Sequence, residues 1–106
     1  MKFRIVYNAW WMRRGWGMVF WSWMWFGLKE SEVSDRHYRH ELQHCYQVKR
    51  KGRLWFLISY ALLWLRHGAF WGGYRNHPYE VEARQHQDNP LTAEEIAWRE
   101  RRRITL

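Results

Sequence analysis

SDRHYRHELQHCYQVKRKG, residues 34–52, decides how the rest of this chain is read. Ser34 or Asp35 can cap the start of a helix and Gly52 can end it, while Lys49, Arg50 and Lys51 suit the negative end of its dipole. A helix over this span stacks His40 and His44 one turn apart on one side. Two neutral imidazoles at that spacing can share one zinc ion, which takes nitrogen and oxygen donors in tetrahedral geometry. Glu41 follows His40 directly, about 100° round the helix. From there it can hydrogen-bond a water at the ion without becoming a ligand.

Outward from this helix, the pattern predicts an α+β fold. Lys2–Tyr7 (KFRIVY) predicts a short strand, and Trp10–Arg14 a connection or a first helical turn. Gly17–Phe26 (GMVFWSWMWF) alternates two sets that are both largely apolar. One strand is expected there, either covered on both faces or exposed on one for binding, its Trp side chains filling the core or walling a cleft. Arg53–His67 is apolar almost all round and predicts a central, buried helix. Residues 68–78 carry three glycines and a proline and predict a loop. Pro78 suits the first turn of a third helix through YEVEARQH, ending near Asp88-Asn89-Pro90. Thr92 with Glu95 forms a capping box for a last helix through Ala97 to about Arg102, which makes Glu94-Glu95 a helix start. The expectation is one domain over residues 1–106: a small N-terminal antiparallel or mixed sheet of about two or three strands packed on three or four helices.

Composition narrows the function classes. A chain of 106 residues holds one modest core, and ten Trp exceed what it easily buries, so some are expected to face a protein partner, a substrate or a lipid interface. The net charge of +8 favours anionic partners. Only Arg99–Arg103 is a dense basic run and no nucleic-acid motif accompanies it, so nucleic-acid binding by that helix and aromatic stacking is the weakest alternative. A single cysteine, Cys45, excludes an internal disulfide and a multi-cysteine zinc site, and reads as a packed thiol. The apolar runs Gly15–Leu28 and Leu54–Leu65 fall short of the roughly 20 residues of a membrane span. Interfacial membrane contact is compatible with both. The first run lacks a secretory cleavage site, so a cytoplasmic or phage-associated location is expected over secretion.

A catalytic zinc needs a third protein ligand and one open position. Downstream, NHPYEVEARQH (residues 76–86) opens a helix with a glutamate after a loop long enough to turn the chain back. HELQH is an H-E-x-x-H arrangement. Together with GGYRNHPYEVEA it resembles the gluzincins, the H-E-x-x-H-plus-glutamate metallopeptidases, and especially the very small ones of bacteria and phages. In that family a second helix commonly carries Glu-x-x-Ala followed by Asp or Asn. Glu80-Val81-Glu82-Ala83 matches as far as the alanine, which picks Glu80 over Glu82. Arg84 stands where the acid would be, so another group must orient the imidazoles.

The resemblance spans residues 36–86. It implies one zinc ion held by His40, His44 and Glu80, with Glu41 as general base in hydrolysis of a peptide or amide bond of a peptide or protein substrate. Tyr74, then Arg75 and His77, are the expected donors to the reaction's oxyanion. His37 and Gln47 extend the histidine face and can orient its rings, and a three-histidine site using His37 is a variant of the same idea. His67 and His86 are expected to serve helix ends. The alternative function is a catalytically weak or inactive, zinc-stabilised structural or interaction protein of a phage particle or membrane-associated assembly.

Overall fold

Phe3, Ile5 and Tyr7 share one side of a strand by its two-residue period, and the core forms on that side. The structure, a computed structural model, describes residues 3–21, 23–69 and 75–105. Strands β1 (Arg4–Tyr7), β2 (Gly17–Phe20), β3 (Trp23–Phe26) and β4 (Arg103–Thr105) make one sheet in the order β2-β3-β1-β4. β1 runs parallel to β3 and to β4, and β2 runs antiparallel to β3. The helices are α1 (Asp35–Lys51), α2 (Arg53–Arg66), α3 (Pro78–His86) and α4 (Ala93–Arg101). The class is α+β with a mixed sheet, one strand larger than expected.

The extra strands have physical causes. Gly17–Phe26 is not one strand but a hairpin, turning at Trp21 with φ 62° and registering Phe20 opposite Trp23. A straight strand would need apolar cover on both faces along its whole length. Folding it back sends Met24 and Phe26 into the core and leaves β2 at the sheet edge, half-exposed. β4 begins within the basic run read as helix: α4 stops at Arg101 and the Ile5 amide takes the Arg102 carbonyl at 2.9 Å.

α1 is the centre of the molecule. Its Tyr38, Leu42 and Cys45, spaced to share a face, pack on Phe3, Ile5, Tyr7, Met24 and Phe26 of the sheet side and on Trp98 of α4. Burying a leucine such as Leu42 contributes about 1.5–3 kcal/mol. Ser34 caps the helix by accepting from the His37 amide at 3.1 Å, and Gly52, at φ 84°, ends it. α4 is latched to α1 through Glu95, whose carboxylate accepts from Arg39 at 2.8 Å and Tyr46 at 2.7 Å while its carbonyl accepts from Tyr38 at 2.8 Å.

The expectation of a central, buried second helix is overturned. α2 buries only Phe56 and Ser59, and Leu54, Trp55, Ile58, Leu62 and Leu65 are exposed. The central place is already taken by α1, and only Phe56, with Tyr60 and Leu63 beside it, packs against Val48 and Tyr79. Tryptophan is likewise not the core filler. Among the described residues Trp98 alone is buried, and Trp10 is 84% exposed.

Candidate metal centre

Two helices bring the predicted ligands together. On α1 the rings of His40 and His44 sit 5.2 Å apart, centroid to centroid. On α3, Pro78 takes the first helical position and His77 caps the end, which puts Glu80 in the first turn facing both rings. Glu80 Oε1 lies 3.0 Å from His40 Nε2 and 3.1 Å from His44 Nε2, and its Oε2 lies 2.9 Å from His44 Nε2. The donor atoms of His40, His44 and Glu80 all fall within 4.8 Å of one another, a group that can hold a metal ion. Glu82 is engaged elsewhere, by Gln43 and Arg50 at 2.7 Å each.

The surroundings set the tautomers. Gln47 donates to the Tyr79 carbonyl at 3.0 Å, so its oxygen is left to accept from His44 Nδ1 at 2.8 Å. That hydrogen bond keeps a proton on Nδ1 and turns the Nε2 lone pair toward the ligand position. His40 is held differently. Gln87 satisfies its neighbours when its oxygen accepts from Arg36 and its nitrogen donates to His40 Nδ1 at 2.9 Å. His40 Nε2 then carries the proton and donates to Glu80. Ligation by Nε2 requires Gln87 to turn its carbonyl to Nδ1, while Arg36 retains Asp88 at 2.9 Å.

Electrostatics fit a cation at this point. Burial by itself would raise the Glu80 carboxyl, yet hydrogen bonds from His40 and His44 hold it far below the usual carboxylate range. Burial lowers His44, but Glu80 outweighs it and the ring ends above its ordinary value. A carboxylate buried between two imidazole Nε2 atoms demands positive charge there. Protons supply it in the cation-free chain, and a divalent ion that displaced them would meet two imidazoles and a carboxylate, a donor set that zinc accepts. On this test the residues fit the ion.

Glu41 stands beside the cluster rather than in it. Burial pushes its carboxyl up to about 7, with His44 and His40 pulling it partly back, and its Oε2 is 4.0 Å from His37 Nε2. It lines a cavity of about 320 Å³ together with His44, Glu80, Tyr60 and residues 17–20 of β2. A second cavity of about 860 Å³ shares Glu41 and Gly17 and adds His37, His40, Trp16 and Trp64. Gly17 lets β2 approach α1 closely: a Cβ there would sit 2.6 Å from His37 Nε2, so the imidazole would have to shift.

The expected oxyanion donors fare unevenly. Tyr74 lies outside the described residues. Arg75 is exposed, and its carbonyl accepts from Arg84. His77 uses both ring nitrogens as a cap: Nε2 donates to the Tyr60 carbonyl at 2.8 Å and Nδ1 accepts from the Tyr79 amide at 3.1 Å. Burial lowers its pKa, as that neutral role requires. His37 faces Glu41 and the Phe26 ring, outside the three-residue ligand group. Cys45 is buried, and burial raises its thiol. Tyr60 of α2, whose hydroxyl donates to Glu80 Oε2 at 3.0 Å, was not foreseen. Its signal is chemical: Ser59 and Tyr60 are the two hydroxyls in an otherwise apolar helix, and the other one contacts Tyr79 at 2.6 Å.

Compared with protein-family models, curated proteins and solved structures, the chain finds no match.

Proposed function

We propose that this protein is a zinc-dependent hydrolase of the gluzincin kind, cleaving a peptide or amide bond of a peptide or protein substrate. One observation carries the reading: the donor atoms of His40, His44 and Glu80 converge within 4.8 Å although they come from two separate helices. Zinc, when bound by these three residues, supplies Lewis acidity that polarises a carbonyl and acidifies a water. Glu41 accepts the proton of the attacking water on its carboxylate and returns it to the leaving nitrogen. Gln47 orients His44, Gln87 orients His40, and Tyr60 orients Glu80.

β2 supports the substrate side of the reading. It is an edge strand, and its residues 17–20 line the cavity shared with Glu41, His44 and Glu80. An extended peptide can add to such an edge by backbone hydrogen bonds, its side chains meeting Val19 and Tyr60.

Zinc content of the purified chain and hydrolysis of casein and of peptidoglycan peptides test the proposal. Wild type should bind one zinc per chain. Glu41→Gln should keep the metal and lose turnover by about 10²–10⁴-fold, whereas Glu80→Ala should weaken metal binding. A wild-type chain that binds no zinc ends the reading. Metal with no turnover, and a silent Glu41→Gln, would assign the centre to holding an interaction protein together.

A further inference from the structure

All ten acidic residues lie within segments 30–41 and 80–100; residues 1–29 and 42–79 carry no Asp or Glu. Those acid-free segments hold eleven of the 18 lysines and arginines and nine of the ten Trp. In the fold they supply β1, the β2-β3 hairpin, the C-terminal part of α1, and all of α2. These elements are cationic and aromatic in composition, with Arg14 and Arg50 reaching across to Glu32 and Glu82.

α2 is the element among them that exposes the most apolar side chains. At about 100° per residue, Leu54, Trp55, Ile58, Leu62 and Leu65 fall within a single arc of roughly 100°, opposite Phe56. All five are exposed, from 43% to 64%. No charge interrupts the arc, and exposed Arg53 and Arg66 bracket it. A helix that faces water carries charges on its outer side; this one carries them at its ends. The hairpin extends the surface. The Arg53 guanidinium lies 4.9 Å over the Trp21 ring, and exposed Met18 and Phe20 line the same cavity as Leu57 and Ala61 of α2.

We propose that the outer side of α2, with the tip of the β2-β3 hairpin, docks on the surface of an anionic lipid bilayer. The aliphatic and Trp side chains enter the headgroup boundary, and the arginines at the two ends of the helix meet lipid phosphates. The helix lies in the plane: its 14 residues reach about 21 Å, short of the roughly 30 Å of a bilayer core. Among the described residues no helix is long and apolar enough to cross a membrane.

Charge decides against the other occupants. A second copy packed on this face by a two-fold axis brings arginine against arginine at both ends, in chains that already repel at +8 each. A nucleic acid would meet leucines and an isoleucine where its phosphates need cations. The inference rests on the surface alone and holds with or without a metal at His40, His44 and Glu80.

Flotation of the full chain with vesicles tests it, using phosphatidylcholine alone and phosphatidylcholine doped with phosphatidylglycerol. Wild type should float with the anionic vesicles, on the order of tenfold more strongly than with the neutral ones, with a blue shift of Trp emission. The exposed pair Ile58→Gln and Leu62→Gln should cut binding by roughly tenfold or more with its circular dichroism and melting unchanged. The pair Arg53→Gln and Arg66→Gln should remove the preference for anionic lipid. A wild-type chain that stays in the aqueous phase with both vesicles overturns the proposal, as does equal binding by the Ile58/Leu62 variant. A dimer in buffer that the same variant dissolves, with no vesicle binding, would make the face a self-interface and overturn it too. Binding of a single-stranded oligonucleotide at low salt without vesicle binding would do the same.

Discussion

α1 and α2 meet at Gly52 and invert each other's chemistry. α1 is rich in charged and polar residues, yet it buries Tyr38, Glu41, Leu42, Gln43, His44, Cys45, Gln47 and Val48. α2 is nearly all apolar and buries two residues. What a helix buries is set by what it lies between, and α1 lies between the sheet and α3. Its buried amides and imidazole are matched, Gln43 to Glu82, His44 to Gln47 and Glu80, Gln47 to Tyr79, while Glu41 faces the cavity with His37 4.0 Å away. Buried polar groups and exposed apolar ones are the two departures from ordinary burial that point to function, and each helix shows one of them.

The largest expected effect sharpens the contrast directly. Leu42→Ala removes a fully buried side chain from the centre of α1 and should cost about 2–5 kcal/mol, read from the urea midpoint at constant slope. A cost below about 1 kcal/mol would mean that α1 is not the structural centre described above.

Next comes the latch from α4 to α1. Burial would raise the Glu95 carboxyl, but the Thr92 amide, the Tyr46 hydroxyl and the Arg39 guanidinium hold it below the ordinary 4.5. A depressed carboxyl contributes stability above its unfolded value, and that stability is lost as pH falls through the folded value. Glu95→Gln should therefore cost about 1.5–3 kcal/mol at neutral pH. The gap to wild type should hold down to about pH 4.5 and close in stronger acid. Denaturant midpoints of both chains at pH 7 and pH 3 check it; a gap that widens in acid contradicts the assignment.

The same contrast explains how much of the fold is legible in the sequence. The bounds of α1, α3 and α4 are written in local signals, namely Ser34, Gly52, Pro78 and the Thr92–Glu95 box, and each cap forms as read. The hairpin lacks such a signal: Trp21 takes a positive φ with no glycine or asparagine at the turn. β4 exists because Ile5 offers it a partner about a hundred residues away in the chain, which no local pattern encodes. The exposure of α2 has the same origin, since its all-round apolarity is silent on how much partner surface the fold supplies. At the site, His40 and His44 follow from helical spacing, and Glu80 follows from the resemblance to Glu-x-x-Ala. Gln47 follows from its position three residues past His44. Gln87 and Tyr60 arrive from other elements, and only Tyr60 leaves a mark in the sequence, as a hydroxyl in an apolar stretch.

Within the site, the buried and peripheral imidazole supports can be set against each other. Gln47 is fully buried and pre-sets the His44 tautomer, so Gln47→Ala should lower zinc affinity by about 10–100-fold. Gln87 must turn its amide before His40 can ligate, and Gln87→Ala should cost less than about tenfold. Competition with a chelating dye measures both. The reverse order would place the weight of the site on the periphery.

The smallest effect is the one most able to break the comparison. Leu62 lies on the outer arc of α2 and is 57% exposed, so Leu62→Ala leaves no cavity and removes little surface from contact. Its cost in urea should stay within about 0.5 kcal/mol, an order of magnitude in equilibrium constant or more below that of Leu42→Ala. Both are leucine-to-alanine changes in neighbouring helices, so side-chain chemistry and helix propensity cancel and only burial differs. A cost of about 2 kcal/mol at Leu62 would require that something covers the arc in solution, and dilution would then identify it: dependence on chain concentration is the signature of a second copy.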